Sequence, residues 1–286
     1  MIKYTLTEFL NFIKKPTDTQ WNINFWEKLK VVFILLIAEV ILFWIVIYPI
    51  DIIIDSYFVN LKPLRLEYDY TIGFQFFMLV VFAPLIEELM FRWVLRRQGL
   101  IHSLVTQKEW DKAFPYLVYI TAILFGFVHM SNYTNDETIF YILSPIILGS
   151  QLMGGFIISF IRVRFNILWG MLYHALWNFS VVFLITLTWG QFQPPYQDKT
   201  EHYEIEISES PFFNDEKKQV LKIDSTNGKI HKMEVEQYTF RHLLDTLYQK
   251  DKYYVDDSFI QLKFNSKKGV SKEEFLEILK KEYDIE

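Results

Sequence analysis

The sequence predicts a mainly α protein, a polytopic transmembrane helix bundle of about five spans with a small C-terminal α+β soluble domain. Three observations predict it. Of the 286 residues, 51% are hydrophobic and 18% aromatic, more apolar surface than a soluble chain of this length carries. The apolar residues gather into runs of about 20, the length a helix needs to cross a bilayer core about 30 Å thick. Charge is divided unevenly along the chain. Residues 201–286 hold 19 of the 34 acidic and 14 of the 29 basic residues, so the net charge of −5 lies there and the first 200 residues are neutral. The expected boundary places a membrane domain at 1–190 and a soluble domain at 191–286.

The spans follow in order. Residues 31–54 are apolar apart from Glu39 and Asp51. Residues 71–95 are apolar to Pro84 and then carry Glu87, Glu88 and Arg92. Residues 113–130 are apolar and aromatic, with His129 near the end. Residues 138–161 contain Gly149, Gly154 and Gly155, and Ser150 with Gly154 forms a small-xxx-small pair that favours close helix contact. Residues 166–189 carry His174 and Asn178. Before them, an amphipathic stretch from Leu6 to Ile13 is expected to lie along the membrane surface.

Basic residues orient the bundle. Lys3, Lys14, Lys15, Lys28 and Lys30 precede the first span, Arg96, Arg97, Lys108 and Lys112 follow the second, and Arg162 and Arg164 end the fourth. Five spans put all three regions on one side, so the expectation is a multi-pass cell-membrane protein with a cytoplasmic N-terminus and an extracytoplasmic C-terminal domain. The first apolar run begins near Val31, too late and too long for a cleavable signal peptide. Cysteine is absent, which excludes disulfides and cysteine-based zinc sites or nucleophiles. Nothing in the charge pattern points to nucleic acid.

The tail reads as alternating strand and helix signals. Tyr203, Ile205 and Ile207 alternate with polar residues, as do Ile260, Leu262 and Phe264. Asn227-Gly228 joins two short strands as a hairpin turn. Phe240, Leu243, Leu244 and Leu247 recur at helical spacing, and Ser271 with Glu274 forms a capping box before a last helix. No catalytic constellation stands out here, and a module that binds a protein partner is the expectation.

Ionisable groups inside a span need a reason, because insertion costs about 2.5–3.5 kcal/mol for Arg, Lys or Asp at a helix centre. Glu88 and Arg92 are four residues apart and pair along one face. Glu87 points about 100° away, has no partner on its own helix, and is a candidate general base. His174 and Asn178 share a face. Taken singly these are ordinary features: an interfacial ion pair, an interfacial histidine, a polar clamp between helices. Taken together, Glu87, His129 and His174 are an inventory for activating water. They suit a Zn²⁺ ion with an open position. They suit equally a metal-free site, in which Glu87 and His129 deprotonate the water and His174 and Asn178 donate to an oxyanion.

Glu87-Glu88-Leu89-Met90-Phe91-Arg92, Phe125-Gly126-Phe127-Val128-His129 and His174-Ala175-Leu176-Trp177-Asn178 resemble, in order, the EExxxR, FxxxH and HxxxN motifs of the CPBP intramembrane protease family, which includes the type II CAAX prenyl endopeptidases and the Abi-type immunity proteins. The resemblance covers roughly residues 71–185. It implies a membrane-embedded endopeptidase, often described as a metalloprotease, acting on a membrane-associated peptide or protein. It implies Glu87 and His129 as water activators, His174 and Asn178 as ligand or oxyanion partners, and Arg92 as the residue that orients Glu87 and Glu88. The soluble tail lies outside the resemblance, as does Glu39, which is expected to reach the site, pair with Arg92 or face other helices.

Two rival functions use the same features, a non-catalytic membrane immunity or binding protein that recognises its partner through the tail and a small proton-relaying transporter. The latter lacks the inverted repeats it would predict. One geometric conflict follows from counting residues. At 1.5 Å per residue from the expected span ends, Glu87 and His129 sit at heights that differ by about 18 Å, which requires tilted helices or different ends.

Overall fold

The computed structural model describes residues 1–64, 71–192, 194–255 and 258–286. It is mostly helical, with five helices long and apolar enough to cross a membrane and a C-terminal open sheet. After an N-terminal helix α1 (Ile2–Lys14) come α2 (Phe25–Tyr57), α3 (Ile72–Arg92), α4 (Gln107–Asn132), α5 (Thr138–Arg164) and α6 (Ile167–Thr188). Two of the five start at a capping box that satisfies their first N–H groups: Asn24 with Glu27 opens α2 and Thr106 with Glu109 opens α4. The chain divides into two compact units. One comprises Met1–Leu64 and Phe77–Val182, and the other holds Phe183–Glu286 with the start of α3.

In the first unit α1 is not a free amphipathic helix. Phe9 and Phe12 are buried, with the Phe12 ring 5.4 Å from that of Phe160 on α5. Arg164 ties this end together, donating to the carbonyls of Thr17 and Thr19 at 2.9 Å each, its guanidinium 5.2 Å from the Phe12 ring. Arg96, after α3, donates to the Val163 carbonyl at 2.9 Å and pairs with Asp18 at 3.4 Å. The three basic regions of the sequence therefore meet at one end of the bundle. At another point Asn135 accepts from the Lys62 backbone N–H and donates to the Asn60 carbonyl, each at 2.7 Å, and Lys62 pairs with Glu137 at 3.2 Å.

Helices α4 and α5 approach closely through glycines other than the expected pair. A Cβ on Gly155 would lie 2.9 Å from the Ala122 carbonyl oxygen, and one on Gly126 would lie 2.4 Å from the Leu152 side chain. Ser150 and Gly154 instead line the cavity described below. Small residues at these points let backbones touch where no hydrophobic force drives helices together.

Three spans contain wide π turns, Phe43–Ile47 in α2, Phe77–Phe82 in α3 and Asn178–Phe183 in α6. Such turns bond i to i+5 and take one residue more than an α turn. The turn in α3 runs into Pro84, which has no N–H for the carbonyl five residues earlier, Leu79. Asn178 Nδ2 donates to that carbonyl at 2.8 Å.

The second unit carries five antiparallel strands, β1 (Tyr196–Lys199), β2 (Glu204–Ser210), β3 (Val220–Thr226), β4 (Lys229–Thr239) and β5 (Phe259–Val270), in the order β1-β2-β5-β4-β3. Helices α7 (Phe240–Leu247) and α8 (Lys272–Leu279) complete it. Asn227 and Gly228 both have positive φ, 53° and 76°, which is the two-residue hairpin turn between β3 and β4. Ile205, Ile207, Leu262 and Phe264 are buried in one core with Leu243, Leu247 and Phe275, which fixes the register of the alternating strands. The Ser271–Glu274 capping box opens α8.

Candidate active site

Glu87 and Glu88 stand in the last turns of α3, beyond the π turn and Pro84. Glu88 and Arg92 are each 0% exposed, and Arg92 Nη1 lies 3.5 Å from Glu88 Oε1. The expected i,i+4 pair is thus present, inside the protein. A lone buried charge is costly, so Arg92 is also served on its other faces. Its guanidinium carbon lies 3.8 Å from the Phe125 ring centroid, and Nη2 donates to the Gly155 carbonyl at 3.5 Å.

His174 on α6 bridges the two glutamates. Its Nδ1–H donates to Glu88 Oε1 at 3.0 Å, and its Nε2 lies 3.8 Å from Glu87 Oε2. His129 follows α4's last α turn and donates from Nδ1 to the Phe125 carbonyl at 2.8 Å. A carbonyl only accepts, so this bond fixes the tautomer and leaves Nε2 as the free nitrogen. In both imidazoles Nδ1 is engaged by an acceptor. Phe125 is the common packing partner, its ring 4.9 Å from that of His129 and 5.6 Å from that of His174, edge-on to both.

Glu87, His129, His174 and Asn178 line one cavity of about 290 Å³ together with Glu39 and Tyr173. Glu87 is the more accessible of the two adjacent glutamates, its side chain 26% exposed against 0% for Glu88. The height conflict between Glu87 and His129 therefore does not survive. Helix α4 starts at Gln107 rather than at residue 113, so the ends from which the heights were counted are not helix ends. Glu39 is buried on α2 and does not pair with Arg92. It accepts a short hydrogen bond from the Tyr173 hydroxyl.

Tyr173 and Gly155 are contributors that sequence reasoning passed over. Tyr173 had one signal, its place next to His174. Gly155 had only its membership of a small-residue cluster, which does not say which glycine touches what.

The donor chemistry of Glu87, His129 and His174 suits Zn²⁺. Among the described residues, no three His, Asp or Glu side chains converge to hold a cation.

Residues 70–180 match the family model described as Type II CAAX prenyl endopeptidase Rce1-like. This segment is CAAX-protease-like. It contains Glu87, Glu88, Arg92, His129, His174 and Asn178, so every motif residue of the CAAX-protease-like segment falls within the match. No curated protein and no solved structure matches the chain. The family supports an intramembrane CAAX-type endopeptidase in general terms, and with the five apolar helices it makes the chain a multi-pass membrane protein.

Proposed function

We propose that the chain hydrolyses a peptide bond of a membrane-associated substrate with a water activated by Glu87 and His129, without a metal ion. The observation that carries the reading is Glu87 Oε2 held 3.8 Å from His174 Nε2 in the wall of a cavity that His129 also lines. The pair is too far apart for a direct hydrogen bond, and a water about 2.8 Å from each would join them.

Glu87 takes a proton from that water as its oxygen bonds to the scissile carbonyl carbon, and His129 Nε2 is the second acceptor for the water. The carbonyl pair moves onto its oxygen. His174, carrying on Nε2 a second proton taken from bulk water and kept through the cycle, donates a hydrogen bond first to the water oxygen and then to that oxyanion, with the Glu88 carboxylate behind it offsetting the imidazolium charge. Asn178 has one amide N–H engaged by Leu79 and a second for the same oxyanion. Collapse breaks the C–N bond, and the proton on Glu87 passes to the leaving nitrogen. Arg92 holds Glu88 in place. Zn²⁺ held by Glu87, His129 and His174 is the rival mechanism.

The CAAX type of substrate comes from the family description alone, and the reading here extends only to a peptide presented from the bilayer. The proposed orientation has the clustered basic end, with the N-terminus, in the cytoplasm and residues 191–286 outside.

The test uses full-length protein in proteoliposomes with a library of quenched fluorescent membrane peptides. Glu87→Gln should lower cleavage by about 10²–10⁴, the usual share of a general base, at unchanged elution volume and melting temperature. Full activity in that variant would remove the assignment. Chelation should leave wild-type activity intact; loss restored by Zn²⁺ would replace the metal-free mechanism. If Glu87→Gln keeps the biological activity and deletion of residues 200–286 loses it, the chain is a binding protein.

A further inference from the structure

Glu39 lies outside the matched residues 70–180 and has no part in the water activation above. Its side chain is 2% exposed, and it lines the same cavity as Glu87 and His129. Tyr173 donates to Oε2, while among the described residues nothing donates to Oε1. The nearest atom to a Cβ built on Gly154 would be this Oε1, at 3.2 Å, so a glycine at 154 leaves the oxygen uncovered. A buried acceptor left without a donor beside a cavity in an apolar slab calls for a ligand that brings one.

A peptide bond brings one. Its carbonyl and its N–H are joined, so a substrate whose carbonyl meets the water at Glu87 carries its N–H into the same 290 Å³ cavity. We propose, resting on the peptidase reading, that Glu39 Oε1 accepts the N–H of the scissile bond and then holds the amine of the released fragment. Holding the N–H at Oε1 turns the nitrogen lone pair towards the proton on Glu87. Tyr173 is a positioning residue that fixes which oxygen of Glu39 faces the substrate. Gln151 also lines the cavity with an unpartnered Oε1, but among the described residues no side chain fixes its amide as Tyr173 fixes the Glu39 carboxyl.

The experiment compares two substrates of full-length protein in proteoliposomes. One is the best-cleaved peptide of the fluorescent library. The other is its depsipeptide, in which the scissile N–H is replaced by oxygen. Glu39→Gln and Glu39→Leu should each lower kcat/KM for the amide at least tenfold and for the ester less than threefold. Gly154→Ala, whose methyl covers Oε1, should show the same amide-selective loss and guards against misfolding of the Glu39 variants. Tyr173→Phe should fall between, and its loss should appear in kcat rather than KM. Equal losses on amide and ester, or no loss on either, would overturn the proposal while leaving the peptidase reading intact. Unchanged cleavage of both substrates by Glu87→Gln, or no cleavage of any library peptide by the wild-type chain, would overturn both.

Discussion

Removing the Glu88 carboxylate should be far more damaging than removing the pair it belongs to. Glu88 and Arg92 are both fully enclosed, 3.5 Å apart, and Glu88 also receives the His174 Nδ1–H at 3.0 Å. Glu88→Ala strands a buried guanidinium with a ring face and one distant carbonyl. Breaking a buried pair in this way costs about 3–5 kcal/mol. The double variant Glu88→Leu/Arg92→Met removes both charges and fills the space. What is left is one unpaired imidazole N–H, a penalty of about 1–3 kcal/mol. The double variant should therefore be more stable than Glu88→Ala, with a coupling of about 2 kcal/mol or more in a double-mutant cycle. Thermal unfolding of detergent-solubilised protein, followed by intrinsic fluorescence, reads the order directly. If Glu88→Ala melts with the wild type, or the double variant loses the sum of the single losses, the pair does not hold the bundle together as argued.

Three further perturbations test other parts of the bundle. Gly155→Ala puts a methyl 2.9 Å from the Ala122 carbonyl and 3.3 Å from the Phe125 ring, so it should cost about 1–3 kcal/mol of stability and lower kcat by displacing the ring that packs Arg92, His129 and His174. Melting temperature and turnover, measured on the same preparation, check both parts. Asn178→Leu leaves the Leu79 carbonyl unpaired opposite Pro84 and should destabilise by about 1–3 kcal/mol, whereas Asn178→Gln, which keeps a donor, should recover part of that in the same melting assay. Hydrogen bonds from Asn135, backbone and Lys62 lower Glu137 to about 2, below its ordinary 4.5. A group lowered by folding stabilises above its unfolded value, so its contribution is present above pH 4.5 and fades as pH falls towards 2. The melting difference between wild type and Glu137→Gln should shrink over that interval, and a difference independent of pH would contradict it.

The sequence displays the spans because each is a long apolar run, and length alone identifies a run that must satisfy its own backbone. It displays the motif residues because charge and imidazole are rare among such runs. The β2, β5 and hairpin signals are equally open, since alternation and Asn-Gly chemistry are local. What it conceals is non-local or lacks periodicity. The Glu39–Tyr173 bond joins residues 134 positions apart, and nothing near either residue announces the other. The role of Phe125 as the ring shared by Arg92, His129 and His174 needs three helices in place before it exists. The π turns leave no mark in a uniformly greasy segment, where every face is apolar.

The wide winding of Phe77–Phe82 sets the azimuth of everything after it on α3. Each residue turns an α helix by about 100°. Winding all six residues as an ordinary α helix would swing Glu87 and Glu88 a quarter-circle or more away from His174. The orthodox helix would be the easier one to build, and it would carry its carboxylates to the wrong neighbours. The catalytic bearing of the bundle thus hangs on one wide turn, and tightening it without shortening the chain trades aim for regularity.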